Sequence, residues 1–141
     1  LVLNTSNAAR LAGSVLFERV LSAWPKSAVR FWDMPDDPSM VKQIIKGSHC
    51  FMVAMEDEVI VGMGRAISDR GSDSYIQDFT VINSYRGKGI GAEILQRIMA
   101  RLEKDGIKWI GLIAEGNSDD YYSHFGFKKM PDSMPMLKIL K

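Results

Sequence analysis

The sequence predicts an α/β protein with a mixed β-sheet and helices on both faces. Cys50–Met55 and Val59–Ile67 are rich in apolar residues and flank a polar turn, which predicts two strands. Tyr75–Ile82 predicts a further strand, and Ile90–Leu102 repeats its apolar residues at helical spacing. Trp109–Ala114 is nearly all apolar, as expected for a strand parallel to Tyr75–Ile82 beneath covering helices.

Shorter elements complete this architecture. Ser6 or Asn7 is expected to cap a helix that runs to about Trp24, because Pro25 then ends it. We also expect a strand at Leu1–Leu3, a helix at Met40–Ile45 closed by Gly47, a helix near Tyr121 and a last strand at Pro135–Leu140.

Length and composition favour one compact domain spanning residues 1–141. The chain has 141 residues and 46% hydrophobic content, which is enough to bury a core without disulfides. Its 18 basic and 17 acidic residues give a net charge of +1. A nucleic-acid-binding surface shows a clustered excess of Lys and Arg, so this composition argues against nucleic acid as a partner.

Cysteine usage and hydropathy predict a reducing compartment without membrane insertion. Cys50 is the single cysteine, and no apolar run approaches the ~20 residues of a membrane span. The segment Leu1–Asn4 is too short and uncharged for a signal peptide, so we expect a cytoplasmic protein. Two histidines and one cysteine provide no metal-ligand spacing, and no metal is expected.

The run Arg86–Gly91 predicts a phosphate site. Its three glycines lie between a predicted strand and a predicted helix start, where main-chain N–H groups and the helix dipole attract an anion. Two common ligands are excluded by spacing. A P-loop requires Ser or Thr after its lysine, and here Gly89 follows Lys88; a dinucleotide fingerprint has its third glycine one residue later than Gly91.

The chain resembles the GCN5-related N-acetyltransferases (GNAT family) in three ordered elements. Arg86, Gly89 and Gly91 match the family's Arg/Gln-x-x-Gly-x-Gly/Ala element, Tyr75–Ile82 its fourth strand, and Tyr121–Phe127 its Phe/Tyr-Tyr-x-x-x-Gly-Phe segment. The resemblance implies a mostly antiparallel, twisted sheet with a parallel β-α-β splay. It also implies acetyl-coenzyme A as cosubstrate and transfer of its acetyl group to an amine.

The resemblance assigns two groups of cosubstrate contacts. A main-chain N–H at a bulge in the fourth strand would polarise the thioester carbonyl, near Phe79, Thr80 and Val81. The glycine loop would cradle the pyrophosphate through Arg86, Gly87, Lys88, Gly89, Ile90 and Gly91.

The resemblance indicates three catalytic candidates, Tyr122, Gln77 and Asp78. Tyr122 matches the family's tyrosine acid, which protonates the leaving thiolate, although a packing role is open. Tyr121 and Phe125 lie four apart on one helical face, so we expect them to be core aromatics. Polyamine-type members carry Glu-Asp where this chain has Gln77 and Asp78. Gln77 cannot take a proton. Asp78 replaces the missing base only if a bulge turns it inward. It could instead be structural, and a water chain ordered by Gln77 or an amine that arrives neutral would then serve catalysis.

The acceptor is expected to be a small-molecule amine or an exposed protein amine. Trp24, Phe31 and Trp32 are candidate substrate contacts, because aromatic faces attract cations, but core packing explains them equally well. An edge strand or the last strand could pair in a homodimer. A coenzyme A-binding sensor without turnover is the alternative function, supported by Gln77, and a Rossmann-type dehydrogenase is a distant third.

Overall fold

A computed structural model describes residues 2–4, 20–24 and 37–141 of the chain. Their contacts group into two compact units, Leu1–Gly111 and Leu112–Lys141. The expectation of a single domain over residues 1–141 stays a prediction. Within the described ranges, no helix is both long enough and apolar enough to cross a membrane.

Five strands form one sheet in the order β1-β2-β3-β4-β5. Each of the first three is antiparallel to the next one. Their bounds are β1 Val2–Asn4, β2 Cys50–Glu56, β3 Val59–Ser68, β4 Asp73–Val81 and β5 Trp109–Leu112.

The first residue of β5 lies beside the beginning of β4. The Trp109 N–H donates to the Ser72 carbonyl at 3.3 Å, and the Ser74 hydroxyl donates to the Trp109 carbonyl at 3.2 Å. Two strands that start side by side run in the same direction, so the sheet is mixed, as predicted.

The helices agree with the apolar periodicity of the sequence. Residues 20–23 are helical, and Trp24 follows at the helix end before Pro25. The remaining helices are α1 Pro38–Gly47, a 3₁₀ turn Asn83–Tyr85, α2 Ile90–Lys104 and α3 Asp119–Ser123. Asp37 caps α1 by accepting the Ser39 N–H at 2.9 Å. Gly106, with φ of +82°, lies just past the end of α2.

Both faces of the sheet are covered within the first unit. One face packs against α1 and residues 20–24 in a core of Val20, Ala23, Trp24, Val41, Ile45, Phe51, Val53, Met55, Ile60 and Met63. The other face packs against α2, which buries Ile94, Leu95, Ile98 and Leu102. The alternation of β3 separates the two cores, because Met63 belongs to the first, whereas Gly62 and Gly64 lie against Ile94 in the second.

The prediction of a last strand at Pro135–Leu140 is wrong. Residues 135–140 form no strand, and their large apolar side chains are exposed, from 79% at Ile139 to 93% at Met136. The local alternation of apolar residues resembles a strand, but a strand also needs a ladder partner, and sequence pattern does not supply one.

Candidate active site

A β-bulge interrupts β4 at Asp78 and Phe79. Met63 pairs with Thr80 and Arg65 pairs with Gln77, so two residues of β4 face Gly64 alone. Asp78 adopts the left-handed region with φ of +51°, which few non-glycine residues do. The sequence predicted a bulge near Phe79 to Val81, and the structure contains one that begins a residue earlier.

Gly64 makes this bulge possible because it leaves space for the Phe79 ring. A Cβ atom at residue 64 would lie 2.9 Å from Phe79 Cδ2 and 3.1 Å from both Ile94 Cγ2 and Ile98 Cδ1. Any larger side chain would therefore displace the ring or α2. The sequence analysis did not single out Gly64, although a glycine inside an apolar strand is a signal for a bulge or a close approach.

Arg65 contacts both Gln77 and Asp78. Its Nε donates to Asp78 Oδ2 at 2.5 Å and its Nη2 donates to Gln77 Oε1 at 3.0 Å. Arg65 and Gln77 are cross-strand partners. Because neighbouring strand residues normally face opposite sides, Asp78 reaches the same guanidinium only through the bulge. Arg65 was not predicted from the sequence, in which its one signal is a lone charge within the otherwise apolar β3.

The glycine loop forms an exposed turn into α2. Gly87 and Gly89 have φ of +75° and +80°, and Gly89 is the N-cap of α2. A side chain at either position would strain the backbone. The first main-chain N–H groups of α2, from Ile90 onward, have no acceptor within the helix and carry partial positive charge. This geometry suits a phosphate.

Two side chains of the loop take defined positions. Arg86 Nε donates to the Val81 carbonyl at 2.9 Å, which ties the loop to the end of β4. Lys88 Nζ lies 4.6 Å from the centroid of the Tyr85 ring, a cation–π contact. Both residues are exposed, so the loop presents positive charge beside the helix start.

Tyr122 is the buried tyrosine of the second unit. Only 9% of it is exposed, and its ring lies in edge contact with Tyr121 and Phe127 at centroid distances of 5.3 and 6.0 Å. Burial raises the pKa of the Tyr122 hydroxyl to about 12, with smaller contributions from Tyr121 and Glu115. The hydroxyl is therefore protonated at neutral pH and can donate a proton.

The neighbouring aromatics of α3 differ from expectation in one respect. Tyr121 and Phe125 contact each other at 5.2 Å between centroids, as their spacing predicted. Tyr121 was expected to be a core residue, but 37% of it is exposed. In a short helix, residues one position apart face different directions, and here Tyr122 takes the buried side.

Of the three aromatic residues predicted to contact the substrate, the structure describes Trp24. Trp24 is 2% exposed and belongs to the core that covers one face of the sheet, which is the packing role that the sequence left open. Phe31 and Trp32 lie outside the described residues. Asp37, one of the carboxylates beside them in sequence, serves as the α1 cap, and its hydrogen bond from Ser39 lowers the pKa of that carboxyl.

His49 and Cys50 form no catalytic dyad. The His49 ring bridges Ser68 Oγ at 2.5 Å and Asp105 Oδ2 at 2.7 Å, so it joins the end of β3 to the end of α2. Cys50 is fully buried, and burial raises the pKa of its thiol to about 11. A buried, protonated thiol is a poor nucleophile.

No group of three potential metal ligands occurs among residues 2–4, 20–24 and 37–141. The features gathered around β4 are instead a bulge, a charged loop and a helix start. Such a set can bind a phosphate and direct main-chain N–H groups at a carbonyl, which are the requirements of acyl transfer from a phosphorylated carrier.

Comparison with known proteins agrees with this chemistry. The sequence profile of the acetyltransferase (GNAT) domain matches residues 21–136. GCN5-related N-acetyltransferase 2, chloroplastic, from Arabidopsis thaliana is 29% identical over 79 residues, which are 56% of this chain and 31% of that protein. The chain thus spans about a third of the length of this relative.

Solved structures share the fold. The GNAT family protein SP0256 from Streptococcus pneumoniae superposes with a TM-score of 0.69 at 21% identity, over 100% of this chain and 98% of that one. AAC(6')-Iy, solved with the bisubstrate analogue CoA-S-monomethyl-acetylneamine, superposes with a TM-score of 0.66 at 17% identity, over 85% and 92%.

The profile match covers most of the chain, and the fold agrees with it. The chain belongs to the GNAT family of acetyltransferases.

Proposed function

We propose that this protein is an N-acetyltransferase that transfers the acetyl group of acetyl-coenzyme A to a primary amine. The observation that carries the proposal is the continuous run from the β4 bulge to the start of α2. Within it, a distorted strand with an interrupted ladder is followed directly by an exposed glycine loop at a helix N-terminus. A phosphorylated thioester needs both features, one for its carbonyl and one for its phosphates.

The loop residues are suited to holding the pyrophosphate. Left-handed Gly87 and Gly89 allow close approach of the main chain, and Arg86 and Lys88 add full charges to the partial charges of the helix start. We assign the same role to the N–H groups of Ile90 and Gly91. Bound acetyl-coenzyme A supplies the activated acetyl group.

The β4 bulge is suited to carbonyl polarisation. An extra residue interrupts the ladder between β3 and β4, and main-chain N–H groups from Phe79, Thr80 and Val81 are candidates to donate to the thioester oxygen. We assign protonation of the leaving thiolate to Tyr122, on the family motif and on its protonated hydroxyl.

The base is assigned to Asp78, with a water ordered by Gln77 as the alternative. The bulge turns Asp78 to the same side of the sheet as Gln77. Such a turn is what a role for Asp78 as the base requires. Arg65 Nε donates a hydrogen bond to this carboxylate. Asp78→Asn should therefore lower kcat while leaving acetyl-coenzyme A binding intact.

The first experiment compares thermal midpoints with acetyl-coenzyme A, NADH and ATP. A ligand at 100 times its dissociation constant stabilises the folded state by about 2.7 kcal/mol, which is several degrees for a domain of this size. We expect a shift with acetyl-coenzyme A alone. A larger shift with NADH or ATP would contradict the proposed ligand.

Acetyl transfer is then measured by thiol release with a panel of small amines and lysine peptides. Release that depends on the added amine identifies the acceptor class. A coenzyme A-binding sensor, favoured by the amide at Gln77, would show the thermal shift and no release with any amine.

We also infer a homodimer and a reducing compartment. Large apolar side chains of the second unit are 79–93% exposed at Met134, Met136, Leu137, Ile139 and Leu140, and a second copy is the partner that we propose for them. The buried free thiol of Cys50 suits a reducing, cytoplasm-like environment. Light scattering of the wild type and of Leu137→Asp tests the dimer, and a monomer at all concentrations would overturn it.

A further inference from the structure

We propose that Arg65 is a positioning residue for acetyl transfer, whose guanidinium holds the β4 bulge in the geometry that polarises the thioester carbonyl. The inference rests on the proposed function and adds a residue that no motif of the sequence indicated. Three features of the bulge support it.

The first feature is backbone strain at Asp78. Asp78 is a non-glycine residue in the left-handed region, which is unfavourable for its backbone, and such a conformation persists where neighbouring groups hold it. Something in the surroundings must therefore hold Asp78 in place.

The second feature is the hydrogen-bonding pattern of Arg65. One guanidinium spans Asp78 Oδ2 through Nε, Gln77 Oε1 through Nη2 at 3.0 Å, and Ser48 Oγ through Nη1 at 3.4 Å. Gln77 is the last residue of β4 in register before the bulge, and Asp78 is the first residue of the bulge. A single planar guanidinium therefore fixes the side chains of both residues. A lysine ammonium cannot reproduce this fork.

Burial strengthens the contact. The Arg65 and Asp78 side chains are 16% and 18% exposed, so solvent screens this ion pair less than it screens a surface pair. By contrast, Arg97 pairs with Glu93 on the exposed face of α2, where both side chains are nearly half exposed.

The third feature is the opposite side of the bulge. There the Phe79 ring lies against Gly64, and Ile94 and Ile98 of α2 approach Gly64 from the same side. Arg65 thus fixes Asp78 on one face of the sheet, and Gly64 admits Phe79 on the other. The main-chain N–H groups of Phe79 and Thr80 therefore cannot rotate without breaking either the Arg65–Asp78 contact or the packing of Phe79 on Gly64.

Arg65 does not need to touch the substrate in this arrangement. It acts through Asp78 and the backbone of the bulge. Its loss should therefore affect the chemical step more than cosubstrate binding, because the phosphate-binding loop at Arg86–Gly91 remains intact.

The test uses acetyl-coenzyme A labelled with ¹³C at the acetyl carbonyl as the probe. In the wild type, the carbonyl resonance should move on binding, because N–H donors polarise the C=O bond. In Arg65→Met, we expect the dissociation constant to stay within about threefold, and that displacement of the carbonyl resonance to fall by at least half. Arg97→Met is the matched control and should behave as the wild type does.

Turnover provides the second readout once an amine acceptor is found. We expect kcat to fall by about 10- to 100-fold in Arg65→Met, since a small misalignment of reacting groups has an effect of this size, with KM for acetyl-coenzyme A nearly unchanged. Arg65→Lys should recover less than a third of the lost kcat, because it keeps the charge and loses the fork.

The outcomes separate the two proposals. If the wild type does not bind acetyl-coenzyme A, the proposed function and this role of Arg65 both fail. If the wild type shows the carbonyl displacement and Arg65→Met keeps it with normal kcat, the proposed function stands and the role of Arg65 is overturned. Should Arg65→Met fold poorly, Arg65→Gln and the Arg65→Lys variant give the same readouts, with amide resonances of Phe79 and Thr80 reporting the bulge directly.

Discussion

Burial keeps the Tyr122 hydroxyl protonated far above neutral pH. A phenol removed from water loses the solvation that its anion needs, and this raises the pKa of the hydroxyl to about 12. A general acid must carry its proton at the working pH, and Tyr122 does so with a wide margin. Its exposed neighbour Tyr121 provides a natural comparison within the same helix.

Replacing Tyr122 with Phe removes the hydroxyl and keeps the ring. We expect kcat to fall by about 100-fold, as is typical for the loss of a general acid, with little change in the binding of acetyl-coenzyme A. Thiol-release kinetics and a binding isotherm measure the two quantities. Tyr121→Phe is the control, and equal losses in both variants would assign Tyr122 to packing.

The element that prepares the phosphate site is the turn from β4 into α2. Its geometry depends on glycines, because Gly87 and Gly89 both lie in the left-handed region. Gly106, at the other end of α2, has nearly the same φ, +82° against +80° at Gly89. Neither has an atom within 4 Å of the position that a Cβ would take.

Gly89→Ala and Gly106→Ala therefore form a matched pair. Each should lower the free energy of unfolding by about 1 kcal/mol through backbone strain. Only Gly89→Ala should also weaken acetyl-coenzyme A binding, by about tenfold or more, because it distorts the loop that faces the pyrophosphate. Calorimetric titration measures the affinity, and equal affinities in the two variants would argue against a phosphate site at this loop.

The packing of α2 against the sheet requires a glycine at residue 64 of β3. Gly64→Ala would place a methyl group 2.9 Å from Phe79 Cδ2. We expect a loss of about 1–3 kcal/mol in the free energy of unfolding, as is usual for overpacking. Gly47→Ala, with no atom within 4 Å, should change it by less than about 1 kcal/mol. Urea unfolding of both variants tests the difference, and a neutral Gly64→Ala would show that the bulge adapts.

At the scale of the whole molecule, buried acids determine how stability depends on pH. The Cys50 thiol has a pKa near 9.0 when exposed and about 11 in the folded protein, chiefly because of burial. Between these two pH values the unfolded chain releases the proton and the folded chain keeps it. The stability contributed by this group is complete below pH 9 and is lost as pH rises toward 11.

We therefore expect the free energy of unfolding to decrease by about 2 kcal/mol between pH 9 and pH 11 through Cys50 alone. Cys50→Ala should remove this part of the slope, whatever its constant packing cost. The remaining loss above pH 10 belongs in part to Tyr122, whose raised pKa acts in the same direction. Urea midpoints at each pH measure both, and identical slopes with and without Cys50 would contradict the assignment.

Local sequence patterns were sufficient to predict those features that depend only on consecutive residues. The glycines at residues 87 and 89 encode a left-handed turn, and the apolar repeat of Ile90–Leu102 encodes an amphipathic helix, so the turn and the position of α2 were predicted correctly. The three elements of the family motif lie within a single stretch, Tyr75–Phe127, and the family assignment that they supported is confirmed.

Only the tertiary structure decided which distant residues meet. Arg65 binds Asp78 across 13 positions of sequence, Gly64 admits the Phe79 ring, and Trp24 enters the core instead of remaining available to a substrate. The segment Pro135–Leu140 had the composition of a strand but no ladder partner. The physical reason is common to all four: helical periodicity and glycine turns are properties of consecutive residues, whereas register, bulges and burial depend on which strand or helix lies alongside.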